Sequence, residues 1–439
     1  MADETKKPKP LPVPQAPNGV SVSVITTATW IGGYGARFEI NNTTNAAISK
    51  WTIRVTYNTT TTIDWVDLTL VKTATGADLT PKSWTAPLRV GKTTIEFGGR
   101  GTSPAAAILI TDVSPQPTPT PSPSPAPTVT PSPTPVPGPG GVIPARYFSP
   151  YVDVLLWPTL DVNTVNAATG AKWFTLAFIT ANSAGEPSWG GVIALGDNFY
   201  ADKISALRAK GGDVVVSFGG ANGQELGQAK TTVPSLVAAY QSVIDKYALK
   251  AVDFDIEGAA VADKASVDRR NAALKILGDN NPSLRMSLCL PVLPTGLTYD
   301  GVALIASAKA AGVRLDSVRV MAMDFGDSAA PPKDHTMGYY VIQAAQATIQ
   351  QLNTAGLTNV SVGICPMIGV NDVATEIFYP SDAQAVVNFA KTTSRINNLD
   401  FWSANRDNGA GGAKQYAVPD SSSIVQNIWD FTRIFNTAF

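Results

Sequence analysis

From residue 144 to the C-terminus, short apolar runs alternate with stretches whose apolar residues recur at helical spacing. Such alternation is typical of a parallel sheet whose strands are connected by helices. The helical stretches include 198–211, 233–249 and 336–356. The candidate strands are 151–156, 173–179, 213–218, 251–256, 284–290, 317–323, 360–367 and 399–403. Eight such strands predict an α/β fold, a (β/α)8 TIM barrel, which takes roughly 250 residues.

The fourth candidate strand, in the run AVDFDIEG, carries Asp253, Asp255 and Glu257 at every second position. Alternate side chains of a strand share one face, so the three acids lie together and apolar residues occupy the other face. Acids about 6.6 Å apart repel one another, and at least one of them is expected to hold a proton near neutral pH. The strand is therefore predicted to end in a general acid, Glu257. Three acids on a solvent-facing edge strand would be the alternative.

Three further strand ends carry residues suited to the same cleft, because catalytic groups of such barrels lie where the strands end. The third strand ends in SFGGANG, where Ser217, Gly219 and Gly220 let a backbone or a ligand approach closely. The sixth ends in MAMDFG, which brings Asp324 to the same rim. The eighth carries Trp402, which we expect to face the barrel mouth as an aromatic platform.

The part of the chain before the predicted barrel divides into three segments. Residues 1–18 are charged and Pro-rich, and we interpret them as a disordered lead. Residues 19–112 contain short alternating runs with Thr, Asn and Gly between them, which predicts an all-β sandwich domain. Residues 113–143 consist almost entirely of Pro, Thr and Ser, a composition that favours extended polyproline II and predicts a linker. The barrel then occupies residues 144–439.

The tryptophans of the predicted sandwich fall into two groups. Trp51 lies on the apolar face of its alternating run, so we expect it in the core. Trp65 lies on the opposite face from the apolar positions of IDWVDLTL, and Trp30 and Trp84 stand beside turn residues. Several exposed indoles on one small domain predict a binding surface, because each offers a large flat apolar face on which a sugar ring can stack. A core position for all of them is the alternative.

Composition excludes several classes of partner. The 33 basic and 34 acidic residues nearly balance, so neither nucleic acid nor an anionic membrane is expected as a partner. No apolar run approaches the roughly 20 residues that span a bilayer. No Cys/His cluster has the spacing of metal ligands, so neither a metal nor an organic cofactor is predicted. Cys289 and Cys365 are expected to be small core residues, although a disulfide stays open.

The N-terminal residues 1–15 lack the apolar core of a signal peptide. Either a natural signal has been replaced or export follows another route, since the domain organisation favours a secreted protein. A monomer is the expected state.

The barrel, from about residue 145 onward, resembles the chitinases of glycoside hydrolase family 18. Their signatures are SxGG on strand three, DxxDxDxE on strand four, MxYD on strand six and a tryptophan on strand eight; this chain has SFGG, DFDIE, MAMD and a matching tryptophan. The resemblance implies that Glu257 is the acid/base, Asp255 its partner and Asp253 the inner acid. It also implies that Asp324 contacts the substrate and that Trp402 lies beneath the reacting sugar.

The chain departs from the family 18 pattern at two positions. Lys250 replaces the first aspartate of DxxDxDxE, and it precedes the strand. Met323 replaces the tyrosine of MxYD, whose hydroxyl hydrogen-bonds the acetamido group of the substrate in the family. Because a thioether cannot donate a hydrogen bond, another donor or a water must take over at this subsite.

The sandwich is similar to carbohydrate-binding module family 2. Those modules bind crystalline cellulose or chitin through three coplanar surface tryptophans, with which Trp30, Trp65 and Trp84 align. The family commonly has a disulfide that connects the ends of the domain, and residues 19–112 contain no cysteine. The resemblance implies anchoring to insoluble chitin, with cellulose as a further ligand of the module.

Together the resemblances imply an endo-acting, retaining chitinase that cleaves β-1,4 bonds of N-acetylglucosamine polymers and chito-oligosaccharides by substrate-assisted catalysis. The segment between the last two strands has no room for the small α+β insertion that walls a deep tunnel, so an open cleft is expected. Two alternatives stay open: a lectin-like protein on an impaired barrel, and an endo-β-N-acetylglucosaminidase acting on N-glycan cores or peptidoglycan.

Overall fold

Two compact units, residues 1–129 and 130–439, make up the chain. A computed structural model describes residues 20–30, 33–43, 51–56, 62–63, 65–66, 68–73, 76–80, 91–100, 107–111 and 140–439. Each unit has its own buried apolar core. None of the helices in these described ranges is long and apolar enough to cross a bilayer. The domain boundaries proposed from composition stay predictions.

The described residues of the N-terminal unit are β-rich. Its strands are β1 (Val20–Trp30), β2 (Gly33–Asn42), β3 (Thr52–Thr56), β4 (Trp65–Val66), β5 (Thr69–Thr73), β6 (Gly76–Thr80), β7 (Gly91–Arg100) and β8 (Ala107–Thr111). They form two four-stranded antiparallel sheets, with the orders β1-β2-β7-β4 and β5-β6-β3-β8. Apolar residues from both sheets share one buried cluster.

Alternation along β3 explains how this unit buries its core. Ile53 and Val55 are buried, whereas Arg54 is exposed and forms a bidentate ion pair with Asp78 of β6. Trp51, directly before β3, is buried, which confirms its predicted core position. Of the three tryptophans predicted to form a binding face, one lies in β1 and one in β4. Trp84 lies outside the described residues.

The C-terminal unit alternates strands with helices, as the sequence predicts. Its strands are β9 (Tyr147–Phe148), β10 (Tyr151–Asp153), β11 (Trp173–Ala181), β12 (Pro187–Trp189), β13 (Ile193–Ala194), β14 (Asp213–Gly219), β15 (Ala251–Asp255), β16 (Arg285–Leu293), β17 (Gly296–Leu297), β18 (Ser317–Met321), β19 (Ser361–Cys365), β20 (Gly369–Val370), β21 (Ile377–Phe378) and β22 (Ile396–Leu399).

The helices of this unit mostly begin with a side chain that caps the first turn. They are α1 (Val162–Thr169), α2 (Ala201–Ala209), α3 (Leu226–Ala229), α4 (Val233–Tyr247), α5 (Ala259–Ala262), α6 (Lys264–Asn280), α7 (Tyr299–Ala310), α8 (Met337–Thr354), α9 (Pro380–Thr392) and α10 (Asp430–Phe435). Short 3₁₀ turns occupy Leu195–Asp197 and Ala404–Arg406. Thr232, Thr298 and Thr336 cap α4, α7 and α8 by accepting from a backbone N–H of the first turn.

Parallel pairing connects the long strands of the C-terminal unit. It runs through β11, β14, β15, β16, β18, β19 and β22 in that order. In addition, β10 pairs in parallel with β11, and β9 pairs in parallel with β22. Because parallel strands all end at one edge, the segments that follow them meet on one face of the unit.

The eighth strand was misplaced in the sequence prediction. It covers Ile396–Leu399 rather than 399–403, and Trp402 forms only an isolated bridge with Met367. The strand has the polar sequence INNL, yet the Asn398 amide is buried and donates to the Tyr147 carbonyl and to Ser149 Oγ. Hydrogen bonding inside the unit thus lets a polar sequence form a buried strand.

Candidate active site

A cleft of about 420 Å³ opens where several of the parallel strands end. This volume lies in the usual range for ligand pockets. Five of the residues that the sequence placed at the site line it together: Asp255, Glu257, Met323, Asp324 and Trp402. They come from the ends of β15, β18 and β22, so the predicted meeting of these strand ends at one cleft matches the structure.

The glycine-rich end of β14 combines close packing with cleft lining. Gly219 has a φ of +100°, and a Cβ there would lie 2.0 Å from the Asp255 carbonyl oxygen. At Gly220 a Cβ would lie 2.6 Å from the Phe178 ring. Only glycine allows this approach of β14 to its neighbours. The cleft is lined by the next three residues, Ala221, Asn222 and Gly223, and the substrate contacts of Ser217, Gly219 and Gly220 stay predictions.

Asp253 lies below the cleft and is completely buried. Its Oδ2 accepts hydrogen bonds from the Tyr151 hydroxyl and from Ser217 Oγ, each at 2.8 Å. Its Oδ1 accepts from Ser287 Oγ and faces Arg319 Nε at 3.4 Å. The serine of the SFGG motif thus positions the inner acid, and hydroxyls from neighbouring strands hold that acid in one orientation.

Asp255 and Glu257 line the cleft above Asp253, and both are protonated more readily than ordinary carboxyl groups. Burial raises the pKa of Asp255 well above its usual value, and the nearby carboxyl groups of Glu257, Asp253 and Asp400 raise it further. Burial also raises the pKa of Glu257. The Asp255 Oδ1 atom is buried without a hydrogen-bond partner in the described part of the chain. A ligand group that donates a hydrogen bond would satisfy it.

The sequence prediction missed a buried ion pair, which Arg319 and Asp400 form beneath the three acids of the AVDFDIEG run. Arg319 Nη1 lies 3.0 Å from Asp400 Oδ2, and the guanidinium also donates to Thr175 Oγ1 and to the Tyr147 hydroxyl. Burial raises the pKa of Asp400 to about 7, although the adjacent guanidinium opposes the rise. An arginine in the otherwise apolar run SVRVM was the available signal, because it shares the inward face of β18 with Ser317 and Met321.

We expect Asp400 to make folding stability depend on pH. A carboxyl group whose pKa is higher in the folded chain stabilises that chain at low pH, and this stabilisation is lost as pH rises from the ordinary value of 3.8 through about 7. In urea unfolding between pH 4 and 8, Asp400→Asn should therefore show a shallower decline of the unfolding free energy than the wild type. Parallel declines would show that Asp400 does not titrate in this window.

One wall of the cleft is rich in sulfur. Met321, Met323 and Met367 line it together with Cys289 and Cys365. The two cysteines are free and buried, as expected, and burial raises the pKa of both thiols well above the usual value. Their exact position was not expected, since they belong to the cleft wall rather than to the core alone. The wall therefore offers apolar contact where Met323 replaces a hydroxyl donor.

Trp402 supports the cleft from below. Its ring stacks on Phe178, with centroids 5.7 Å apart and planes inclined by 16°, and lies 6.1 Å from the Tyr151 ring. These contacts fix the indole in place, and the side chain keeps a partly exposed surface that faces the cleft. A rigid indole of this kind offers a flat apolar surface to a ligand.

Asp324 ends the β18 segment with a left-handed backbone, φ 51°. Its Oδ1 accepts a hydrogen bond of 2.8 Å from the Val373 backbone N–H, and burial raises its pKa. Asp324 thus lines the cleft and also holds the segment after β19 in place. That segment contains only the β20–β21 hairpin and α9 before β22 begins, which matches the predicted lack of a larger insertion.

Among the described residues, no group of three or more His, Cys, Asp or Glu side chains is arranged to hold a metal ion.

The N-terminal unit matches a known family model. Residues 20–113 match the model described as a cellulose binding domain. This match agrees with the sequence resemblance of the sandwich and with its β-rich structure.

The C-terminal unit is similar to chitinases in two curated proteins. A probable bifunctional chitinase/lysozyme of Escherichia coli strain K12 is 37% identical over 281 residues, which covers 60% of this chain and 31% of that protein. Endochitinase 11 of Metarhizium anisopliae is 36% identical over 278 residues, covering 60% of this chain and 53% of that protein. The chain thus spans about half or less of the length of these relatives.

Solved structures give a more complete match. The catalytic domain of a hyperthermophilic chitinase from Pyrococcus furiosus has 32% sequence identity and a TM-score of 0.61, and the match covers 68% of this chain and 96% of that domain. Catalytic-site mutants of the same chitinase, one set in complex with chito-oligosaccharides, match to a similar extent.

Proposed function

Because this chain belongs to the family 18 chitinases and carries a family 2 carbohydrate-binding domain, we propose that it is an endo-acting, retaining chitinase of insoluble chitin. The substrates are polymers and oligomers of β-1,4-linked N-acetylglucosamine. The observation that carries the proposal is the orphaned, buried Oδ1 of Asp255 beside Glu257 in an open cleft. The acetamide N–H of such a sugar is a donor that this oxygen lacks.

Glu257 supplies the proton for bond cleavage. Its raised pKa keeps the carboxyl protonated nearer to neutral pH than an ordinary glutamate, so it can protonate the glycosidic oxygen. As that C–O bond breaks, the acetamido carbonyl oxygen of the same sugar attacks the anomeric carbon and forms an oxazolinium ion. Water then attacks the anomeric carbon, Glu257 takes the proton of this water, and the oxazolinium ring opens. Two inversions leave the anomeric configuration unchanged.

Asp255 orients the acetamido group during these steps. With its free Oδ1 it accepts the acetamide N–H, which holds the carbonyl oxygen in line with the anomeric carbon and offsets the positive charge of the oxazolinium ion. Asp253, held by its hydroxyl donors, raises the pKa of Asp255 through its negative charge, and Trp402 carries the reacting sugar. Two other cleft carboxyls are held by backbone donors: Asp153 accepts from the Leu155 N–H, and Asp324, which contacts the substrate in this proposal, accepts from the Val373 N–H.

The endo mode and the closed barrel follow from the same proposal. Only the short β20–β21 hairpin and α9 lie between β19 and β22, which supports an open cleft that a polymer can enter from the side. The strand β10 pairs with β11, β9 pairs with β22, and only Ser149 and Pro150 lie between β9 and β10. Together β9 and β10 can therefore act as one strand that joins the two ends of the sheet, which supports an eight-stranded (β/α)8 barrel.

The N-terminal domain anchors the enzyme in this proposal. Trp30, Trp65 and Trp84 form its binding face for chitin, and cellulose is a second polymer with which the same face can stack. The linker at 113–143 lets the barrel reach polymer around the anchor. The protein acts outside the cell, where insoluble chitin occurs, and works as a monomer.

Hydrolysis of chitohexaose with anomers resolved by proton NMR tests the catalytic part of the proposal. We expect β-anomeric products from the first minutes, with trimers as well as dimers and tetramers, because an open cleft permits internal cuts. Dimers as the only early product would contradict the endo mode. Initial formation of α-anomers would contradict retention and with it the part assigned to the acetamido group.

A further inference from the structure

A second groove of about 480 Å³ lies beside the cleft and takes no part in the chemistry above. It is formed by the segment that leads into α8 and by the segment that leads into α9. One side includes Lys333, Asp334 and His335, and the other includes Thr375 and Tyr379. Its size falls within the 300–1,000 Å³ usual for ligand sites.

Two buried carboxylates, Glu376 and Asp382, hold both sides of the groove in place by accepting hydrogen bonds from backbone N–H groups. Glu376 accepts from the backbone N–H groups of Phe325 at 3.1 Å and Gly326 at 2.6 Å. Asp382 accepts from the N–H groups of Gly338 at 3.0 Å and Tyr379 at 2.8 Å. The two segments are therefore fixed to each other, and the groove is formed before any ligand arrives.

The lining of the groove combines aromatic faces with polar groups of both charges. His335 stacks on Tyr339 with ring centroids 3.8 Å apart, and Tyr379 is 46% exposed at the opposite side. Lys333 and Asp334 place one positive and one negative charge at the edge. Mixed charge suits neither a polyanion nor a polycation, whereas aromatic faces with hydroxyl, amine and carboxyl neighbours suit a neutral sugar, which has both apolar and hydrogen-bonding faces.

The groove adjoins the cleft through a shared wall. Asp324 and Asp372 line the cleft, and Thr375, three residues further along the chain, lines the groove. The hydrogen bond from the Val373 N–H to Asp324 and the one from Thr375 to Asp327 fasten this wall to the end of β18. The segment from Asp372 to Thr375 therefore contributes to both the cleft and the groove.

We propose that this groove binds a chito-oligosaccharide chain as a continuation of the catalytic cleft, with Tyr379 and His335 as the ring contacts. The inference rests on the proposed function for the identity of the sugar. It adds a binding site that neither the catalytic residues nor the N-terminal domain provide. Long substrates benefit from it, and substrates too short to leave the cleft do not.

His335 is the single histidine of the chain and provides a direct probe of the groove. In full-length Glu257→Gln protein, which retains sugar without cleaving it, the imidazole C–H resonances are followed by NMR during addition of chitohexaose. We expect a saturable shift that Tyr379→Ala, in the same background, abolishes. The N-terminal domain contains no histidine and contributes no signal. A resonance that stays unmoved, or moves equally in Tyr379→Ala, would overturn the proposal.

Kinetic measurements distinguish a failure of the groove proposal from a failure of the proposed function. Tyr379→Ala should lower the ratio of kcat/KM for chitohexaose to kcat/KM for chitotriose about fivefold, the order expected for loss of one ring contact. Tyr299→Ala is the matched control, because Tyr299 is 88% exposed at the start of α7, lines neither the cleft nor the groove, and should leave the ratio unchanged. An unchanged ratio in Tyr379→Ala overturns the groove alone, whereas a wild type that cleaves neither substrate overturns the chitinase proposal.

Discussion

Chitohexaose turnover by Glu257→Gln should fall by about 10²–10⁴-fold, the range that a positioned general acid/base contributes. The glutamine amide keeps the shape of the side chain but can neither protonate the glycosidic oxygen nor take a proton from water. Both steps of the proposed reaction therefore lose their proton carrier. The measurement is the initial rate of product release from the soluble hexamer at saturating substrate.

The matched control for this experiment is Glu186→Gln. Glu186 follows β11, its side chain is 61% exposed, and it forms a surface ion pair with Lys230. Loss of such a pair changes stability by roughly 0–1 kcal/mol and should leave turnover unchanged. Near wild-type turnover in Glu257→Gln would show that Glu257 is not the general acid/base. If instead the wild type binds the hexamer without cutting it, the barrel is a lectin, and Met323 is the first residue to examine.

The acidic motif shows how far periodicity alone can define the site. Alternation in AVDFDIEG places three acids on one face, and the structure brings Asp255 and Glu257 to the cleft with Asp253 beneath them. Periodicity could not distinguish the acid that faces ligand from the acid that is sealed below it. That difference depends on Tyr151 of β10 and Ser287 of β16, which are far from Asp253 in the sequence and donate their hydroxyl groups to it.

Other parts of the site depend on contacts between residues far apart in the sequence. Arg319 lies on β18 and Asp400 directly follows β22, and only the sheet order brings their side chains together. Gly219 and Gly220 were interpreted as allowing close approach of a backbone or a ligand, and the structure places the Asp255 carbonyl and Phe178 there. Local sequence shows that a small residue is needed, but not which neighbour occupies the space.

Arg319 is the cation on which the buried acids depend. It faces Asp253 at 3.4 Å and Asp400 at 3.0 Å, and its charge lowers the raised pKa values of Asp255 and Asp400. The four nearby carboxyl groups of Asp253, Asp255, Glu257 and Asp400 would otherwise repel one another with little solvent to screen them. The position of this one guanidinium therefore affects both the stability of the unit and the protonation of the catalytic acids.

Replacement of Arg319 by methionine should accordingly destabilise the chain by about 3–5 kcal/mol, the loss usual when one partner of a buried ion pair is removed. The methionine fills much of the same volume, so the effect arises mainly from carboxyl groups left without a counter-charge. Urea unfolding at pH 7, followed by near-UV circular dichroism, measures it. Arg433→Met is the control, because Arg433 is half-exposed and its pair with Asp430 is long, at 3.9 Å; its effect should stay within about 1 kcal/mol.

A second substitution separates charge from packing. Asp400→Asn in the Arg319→Met background removes one of the unpaired carboxylates, so the double variant should recover part of the stability lost by Arg319→Met alone. A purely steric defect would not respond to this change, and the double variant would then be as unstable as the single one or more so. Because Arg319 lowers the pKa of Asp400, we expect this pKa to lie above about 7 in the Arg319→Met background. The repulsion requires ionised carboxyl groups, so the recovery should grow as pH rises past that value.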